Sequence, residues 1–330
     1  MDIKFEKWHG AQNDFIVVRL PVLDQELLLG TLRRQANRLC HRHRGIGADG
    51  ILVLWTRTGQ ELPEALSIVN SDGSLAANCG NGLRCAMASV LHHEGAKKAS
   101  PLGQGRGPKG GRGGSSLELD ALPLDVEGRS MVCRQIGKMG STYFIAVEMP
   151  TPDLNEKVKW WETGKHELAQ AVVESQKARG EALFAYEAHG VDVGNKHLVM
   201  VSENMNREII LAVGPRLQKS AHWDGMNVHG AKPLVPSEKD QSRAGQEVGG
   251  SLNALFQVWV WERGAGETMA CGSGAVAVGV QHLASGLEER DAWVGVDMPG
   301  GRLYVKQDEP DSPPILAGPA EFVYEGLLTI

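Results

Sequence analysis

Glu267-Thr268-Met269-Ala270-Cys271-Gly272-Ser273-Gly274-Ala275-Val276-Ala277-Val278 decides how this chain is read. A cysteine stands between a turn-like approach and a run of small and apolar residues that continues through Gly279-Val280-Gln281-His282-Leu283-Ala284. Ala275, Val278 and Leu283 recur close to one helical face, which predicts a buried helix beginning just after Cys271. Gly272 and Gly274 leave the backbone bare at that start. The first amides of a helix have no partner within it and point at whatever lies in front, and the helix dipole favours an anion there. The expectation is a thiol drawn below its ordinary pKa of about 8.5.

The stretch has a twin in Asn78-Cys79-Gly80-Asn81-Gly82-Leu83-Arg84-Cys85-Ala86-Met87-Ala88-Ser89-Val90-Leu91. It repeats Cys-Gly-polar-Gly followed by a small, apolar helix. The copies lie too far apart for a local repeat and at the right distance for one per domain. Two thiols, each at a helix N-terminus, point to two like acid/base groups facing one site.

The chain has 330 residues, enough for two domains with their own cores. An apolar content of 42% belongs to a globular protein. A net charge of −6 leaves no basic excess to neutralise phosphates, which argues against general nucleic-acid binding. The start, Met1-Asp2-Ile3-Lys4-Phe5-Glu6-Lys7, lacks the apolar stretch of a signal peptide, and no run approaches the roughly 20 apolar residues that span a bilayer. A cytoplasmic protein without membrane or nucleic-acid partners is expected. The five cysteines (Cys40, Cys79, Cys85, Cys133 and Cys271) are odd in number and sparse, so they form no disulfide framework. No Cys-x-x-Cys pair is present, so no metal site is expected. A single cysteine in such a chain is most often a small buried hydrophobe; at Cys79 and Cys271 the matched glycines overturn that reading. Cys40, Cys85 and Cys133 are left as packing residues.

Lys4 to Trp8 alternates and predicts a strand, His9 to Asp14 a turn, and Phe15 to Val18 a second strand. Leu27 to Arg38 is a candidate helix, and Ile51 to Leu54 and Ser67 to Asn70 are strands. His41 and His43 read as solvated loop residues. Gly95 to Ser116, including the low-complexity Pro101–Gly114, is expected to be a surface loop. Leu117-Glu118-Leu119 and Tyr143 to Val147 are strands, and residues 155–183 are helical in part. Val191 to Val201 is a turn and then a strand that echoes Gly10 to Val18. Ser237 to Gly250 is polar and reads as a second exposed insertion, and Phe256 to Gly264 is a strongly alternating strand entering the Cys271 loop. Each half runs strand, Asn turn, further strands, then cysteine helix, a pseudo-duplication.

These blocks resemble the diaminopimelate epimerase family, whose members invert an amino-acid centre with two cysteines and no cofactor. The resemblance rests on His9-Gly10-Ala11-Gln12-Asn13-Asp14-Phe15, Arg44 to Gly50, Asn70-Ser71-Asp72-Gly73-Ser74, Asn78 to Cys85, Gly194 to His197, Asn227-Val228, and Glu262 to Gly274. It implies an α+β fold of two similar domains, each a curved, barrel-like β-sheet around a central helix, with the site in the cleft between them. The implied domains are 1–134 with about 315–330, carrying Cys79, and 135–314, carrying Cys271.

The implied reaction is conversion of L,L- to meso-diaminopimelate, in lysine and peptidoglycan precursor biosynthesis. By resemblance, Cys271 accepts the proton from the L centre and Cys79 donates one to the other face, while His197 and Glu262 orient or polarise the thiols. Asn13, Asn70, Gly80, Asn81, Asn195, Asn227, Gly272 and Ser273 match substrate-contacting positions, and Arg263 matches the residue that clamps the distal carboxylate. No cofactor is implied; the partner is the small molecule, and a homodimer stays open. The chain departs from the family at Lys196, where proline is usual, and at His229-Gly230. Two other readings compete: a two-thiol racemase for proline or hydroxyproline, and a catalytically silent binding protein. Asn81 and Glu262-Arg263 fit the diaminopimelate pattern better than the first, and two intact cysteines speak against the second. A thiol redox protein is a third, and would need the pair to cycle as a disulfide.

Overall fold

Alternation and apolar runs become strands, and the two glycine-cysteine stretches become the helices they enclose. The computed structural model describes residues 2–76, 79–99, 121–154, 159–180, 186–219, 225–286 and 291–329. The first lobe contains β1 (Asp2–Gly10), β2 (Asn13–Pro21), α1 (Gln25–Cys40), β3 (Gly50–Thr56), β4 (Ala65–Asn70), β5 (Leu75–Ala76) and α2 (Gly80–Ala99). β6 (Leu122–Val126), β7 (Arg129–Met139) and β8 (Thr142–Glu148) complete it. The second lobe follows with β9 (Asp153–Leu154), α3 (Lys159–Ala178), β10 (Glu187–Asp192), β11 (Lys196–Val201), α4 (Arg207–Gln218), β12 (Asn227–Leu234) and α5 (Glu238–Val248). It continues through β13 (Leu252–Glu262), β14 (Gly266–Glu267), α6 (Gly272–Ala284), β15 (Trp293–Met298), β16 (Gly301–Lys306) and β17 (Ile315–Thr329).

The lobes repeat one topology. In the first, β1 and β2 form an antiparallel hairpin, β2 runs parallel to β3, β3 antiparallel to β4, and β6, β7 and β8 form a meander. In the second, β10 and β11 form the hairpin, β11 runs parallel to β12, β12 antiparallel to β13, and β15, β16 and β17 form the meander. The helix enters between the fourth strand and the meander each time, and the strands across it pair in parallel, β4 with β6 and β13 with β15.

Two crossings tie the lobes together. Ile315 to Glu321 of β17 pairs with β8, and from Glu321 to Thr329 the strand pairs with β1. The chain itself crosses from β8 of the first lobe directly to β9, which pairs with β10 of the second. The boundary expected at 134/135 falls inside β7, whose pairing with β8 starts at Cys133 and runs through Met139.

β3 shows why the core is layered. Its side chains alternate between two apolar surfaces: Ile51, Val53 and Trp55 meet Leu28, Leu32, Ala36 and Leu39 of α1, while Leu52 and Leu54 meet Leu83, Met87 and Val90 of α2. Leu83, Cys85, Ala86, Met87 and Ala88 of α2, and Ala275, Val276 and Ala277 of α6, are fully buried on successive positions, as a helix inside a barrel requires. Both helices share one continuous apolar cluster. Cys40, Cys85 and Cys133 are buried in these cores.

Two expectations are corrected. Ser237–Gly250 is not an exposed insertion. Ser237 and Asp240 form a capping box, and Ala244 and Val248 pack on Leu252, Trp293 and Tyr304. The buried Glu247 accepts from the Tyr304 hydroxyl at 2.6 Å and from Arg243 at 2.8 Å. Gly95–Ala99, assigned to the loop, is the last turn of α2. Pro101–Gly114, Leu117-Glu118-Leu119 and Asn78 lie outside the described residues.

Candidate active site

The two cysteine helices meet start to start. Cys79 precedes α2, whose Leu83 N–H donates to the Cys79 carbonyl at 2.9 Å. Cys271 caps α6 in extended conformation, and the Ala275 N–H donates to its carbonyl at 2.9 Å. Asn81 Nδ2 donates to the Ala270 carbonyl across the lobe junction at 3.4 Å. A Cβ on Gly272 would lie 3.4 Å from the Asn81 amide nitrogen and 3.1 Å from Leu316 Cδ2, and the same Leu316 methyl would overlap a Cβ on Gly80. Both glycines thus pack closely on one leucine of β17, Gly80 the more tightly.

Helix amides do reach the sulfurs. Gly82 N–H points at Cys79 Sγ over 3.3 Å, and Gly274 N–H acts on Cys271. The expected fall in thiol pKa nevertheless does not occur. Burial pushes both thiols up, Cys271 well above its usual range, and the Glu262 carboxylate raises both further. Amide bonds at one end of a sulfur do not replace the water removed from the rest of it. Burial also raises the Glu262 carboxyl, against hydrogen bonds from Thr268 and Cys271 that lower it.

His197 lies close to Cys271. Asn195 Oδ1 accepts from His197 Nε2 at 3.0 Å, so Nδ1 carries the lone pair and accepts from His229 Nε2 at 2.8 Å. His229 Nδ1 is then left buried with no partner among the described residues. Burial depresses both imidazoles, His229 to about 3, and mutual repulsion adds to the effect at His197, so both are neutral. Asn195 Nδ2 reaches Ser273 Oγ at 3.4 Å, which ties the pair to the first turn of α6. No metal cluster was expected, yet His197, His229 and Cys271 each offer a ligand atom within 4.8 Å of the others. They come from β11, β12 and the start of α6, so sequence spacing carries no trace of the grouping.

The asparagines divide. Asn13 Oδ1 accepts from Asn81 at 3.1 Å, and Asn13 Nδ2 donates to Asp49 at 2.7 Å. Asn227 Oδ1 accepts from the Arg263 N–H at 2.9 Å, and the exposed Arg263 side chain lies beside Gly225. Asn70 Nδ2 donates to Ser74 Oγ of its own turn at 2.9 Å.

Several residues at the site carried no assignment from sequence. Asp14 and Asp49 bind Arg42, and Lys7 holds Asp14 at 2.7 Å, forming a charged wall behind Asn13. Arg84 is fully buried: its Nη2 donates to Asn81 Oδ1 at 2.8 Å and its Nε to the Pro319 carbonyl at 3.4 Å. Thr268 donates to Glu262. Arg84 and Thr268 lie inside the two cysteine stretches, and this proximity was the available signal.

The architecture is that of a two-lobed fold seen in solved structures of several chemistries. A phenazine biosynthesis protein of the PhzF family from Bacillus anthracis superposes with a TM-score of 0.63 at 12% identity, over the whole of both chains. A hydroxyproline epimerase from Agrobacterium vitis gives 0.55 at 11% identity, covering 99% of this chain and 91% of that one. At such identities the likeness is one of fold. The sequence narrows it: the family model described as diaminopimelate epimerase matches residues 5–102 and 190–323, which contain every candidate site residue. A diaminopimelate epimerase of Xanthomonas campestris pv. campestris is 31% identical over 337 residues, covering 98% of this chain and 95% of its own. Another, from Pseudomonas syringae pv. tomato, is 29% identical over 327 residues and 99% of both chains. This chain belongs to the diaminopimelate epimerase family.

Proposed function

We propose that the chain is an isomerase that inverts one Cα of diaminopimelate, interconverting the L,L and meso forms, with Cys271 and Cys79 as opposed bases. The carrying observation is the convergence of two thiol-capped helix starts, held together by Asn81, Gly272 and Leu316. Cys271 as thiolate takes the proton of the L centre while the Cys79 thiol gives its proton to the opposite face. The sulfurs end with their protonation exchanged and no other group is consumed. Charge developing on the substrate α-carboxylate meets the helix-start amides at Gly80-Asn81 and Gly272-Ser273.

Glu262, hydrogen-bonded to Cys271, is the group placed to exchange a proton with it when the substrate is bound. Neutral His197 and Asn195 orient the first turn of α6 through Ser273. Asn13 and Asn227 line the substrate space, and the exposed Arg263 has the forked donors that suit a distal carboxylate. No described helix is long and apolar enough to cross a membrane, and the reading places the enzyme in the cytoplasm, acting on a free amino acid.

The test is incubation with L,L-diaminopimelate in heavy water. Meso product with one Cα deuterium is expected. Failure to label Cα in diaminopimelate, with labelling of proline or hydroxyproline instead, would reassign the substrate.

A further inference from the structure

The two-base chemistry assigns no proton transfer to His229, yet the side chain is completely buried against the start of α6. Any side chain at position 274 would collide with its ring. β11 and β12 run parallel with Val199 opposite His229 and His197 opposite Asn227. His197 and His229 are thus two positions apart in register and share a face. Cys271, at the start of α6, lies against that face, and one ligand atom from each of the three lies within 4.8 Å of the other two. A lone pair on His229 Nδ1 meets no donor among the described residues.

Two imidazoles and one thiol, clustered before any ion arrives, form a donor set for borderline-soft cations. It matches the three-ligand zinc sites that keep a fourth position open, and it does not suit magnesium or calcium, which take oxygen. The Glu262 carboxylate beside Cys271 supplies further negative charge.

We propose that His197, His229 and Cys271 bind one thiophilic divalent cation of the zinc and cobalt class, which silences the enzyme by occupying the Cys271 sulfur. The hydrated cation exchanges water for two neutral imidazole nitrogens and the sulfur, and His229 gives up its hydrogen bond to His197 Nδ1 so that this lone pair can serve as ligand. Cys271 releases one proton to solvent, and nothing is oxidised or reduced. The silencing rests on the role given to Cys271 under Proposed function; the binding does not.

Reduced, chelator-stripped protein is titrated with Co2+ without air. One equivalent should produce a sulfur-to-cobalt charge-transfer band, abolished by Zn2+ and by Cys271→Ser but retained in Cys79→Ser. His229→Asn and His229→Gln should each weaken Co2+ binding more than tenfold, since loss even of groups outside the ligand shell costs about 10–100-fold. The cation-free enzyme should be active. Zn2+ should inhibit it at the concentration at which it displaces Co2+, with activity returning on chelation. X-ray absorption of the zinc-loaded wild type should count one sulfur and two imidazoles, and this decides the matter if the His229 variants fail to fold. No cobalt band, a band that survives Cys271→Ser, unchanged affinity in both His229 variants, or a shell without imidazole would each overturn the site. A chain that shows the band but epimerises nothing would overturn the functional reading and leave the site standing.

Discussion

Asn81 Nδ2 lies 3.4 Å from the Ala270 carbonyl oxygen, so the first turn of one cysteine helix is hydrogen-bonded to the backbone that delivers the other cysteine. The contact spans the two lobes. Beneath it Leu316, on the strand that passes from one lobe to the other, packs against Gly80 and Gly272 together. The placement of the thiols is therefore a property of packed backbone, which is what two bases acting on one carbon require.

Gly80→Ala should show this directly, because the new methyl overlaps Leu316 Cδ2. Overpacking of this kind costs about 1–3 kcal/mol. Leu316→Ala alone should cost about 2–5 kcal/mol through the cavity it leaves. The double variant should lose less than the sum of the two, with a coupling of about 0.5–3 kcal/mol in chemical denaturation. Strict additivity would mean that Leu316 is not the wedge between the helices.

Arg84 should act on Cys79 and not on Cys271. Burial lowers the guanidinium to about 10, so it remains charged at neutral pH, and its charge pulls the Cys79 thiol down. Arg84→Met removes that charge and the bond to Asn81 Oδ1. The pH profile for alkylation of Cys79 should move to higher pH while that of Cys271 stays in place, read by peptide mapping. Equal movement of both would point to a general loosening of the core.

Glu262→Gln should separate thiol acidity from turnover. The carboxylate raises both thiols, so its removal should shift both alkylation profiles to lower pH and speed alkylation at neutral pH. Epimerisation should fall by about 10²–10⁴, the usual worth of a proton-transfer group, because the acceptor for the Cys271 proton is gone. Faster alkylation together with undiminished epimerisation would remove Glu262 from the reaction.

The parts legible in sequence were those encoded locally. Cys-Gly-polar-Gly ahead of small residues specifies a helix start and a bare backbone, and both α2 and α6 begin where that pattern places them. The echo between Gly10 to Val18 and Val191 to Val201 foretold matching Asn turns, and β1–β2 and β10–β11 are the matching hairpins. What escaped depends on distant partners. Ser237 to Gly250 looks polar because its inward face is only Ala244, Glu247 and Val248, and Glu247 is satisfied by Tyr304 far along the chain. His229 becomes notable only when β12 lies beside β11. The direction of the thiol shifts is not legible in sequence for the same reason: a helix end is visible there, but the loss of solvent that outweighs it exists only once the lobes have closed.

Single replacement of each thiol should give stereochemically asymmetric defects. Serine keeps the size of cysteine but is a far weaker acid, and the two sulfurs sit on different lobes at the starts of α2 and α6. If Cys271 takes the proton from the L centre, Cys271→Ser should block Cα exchange with solvent starting from L,L-diaminopimelate. Cys79→Ser should spare abstraction but impair delivery to the other face, leaving exchange with retention of configuration. From the meso isomer the roles should swap, since the proton to be removed then faces Cys79. Each defect should be about 10²–10⁴ in rate, and the double variant should be little worse than either single one, because the two groups act as a unit. Cα deuterium exchange followed by NMR for both variants with both isomers provides the four measurements. Equal losses in all four would mean that the thiols do not divide the faces of the substrate between them.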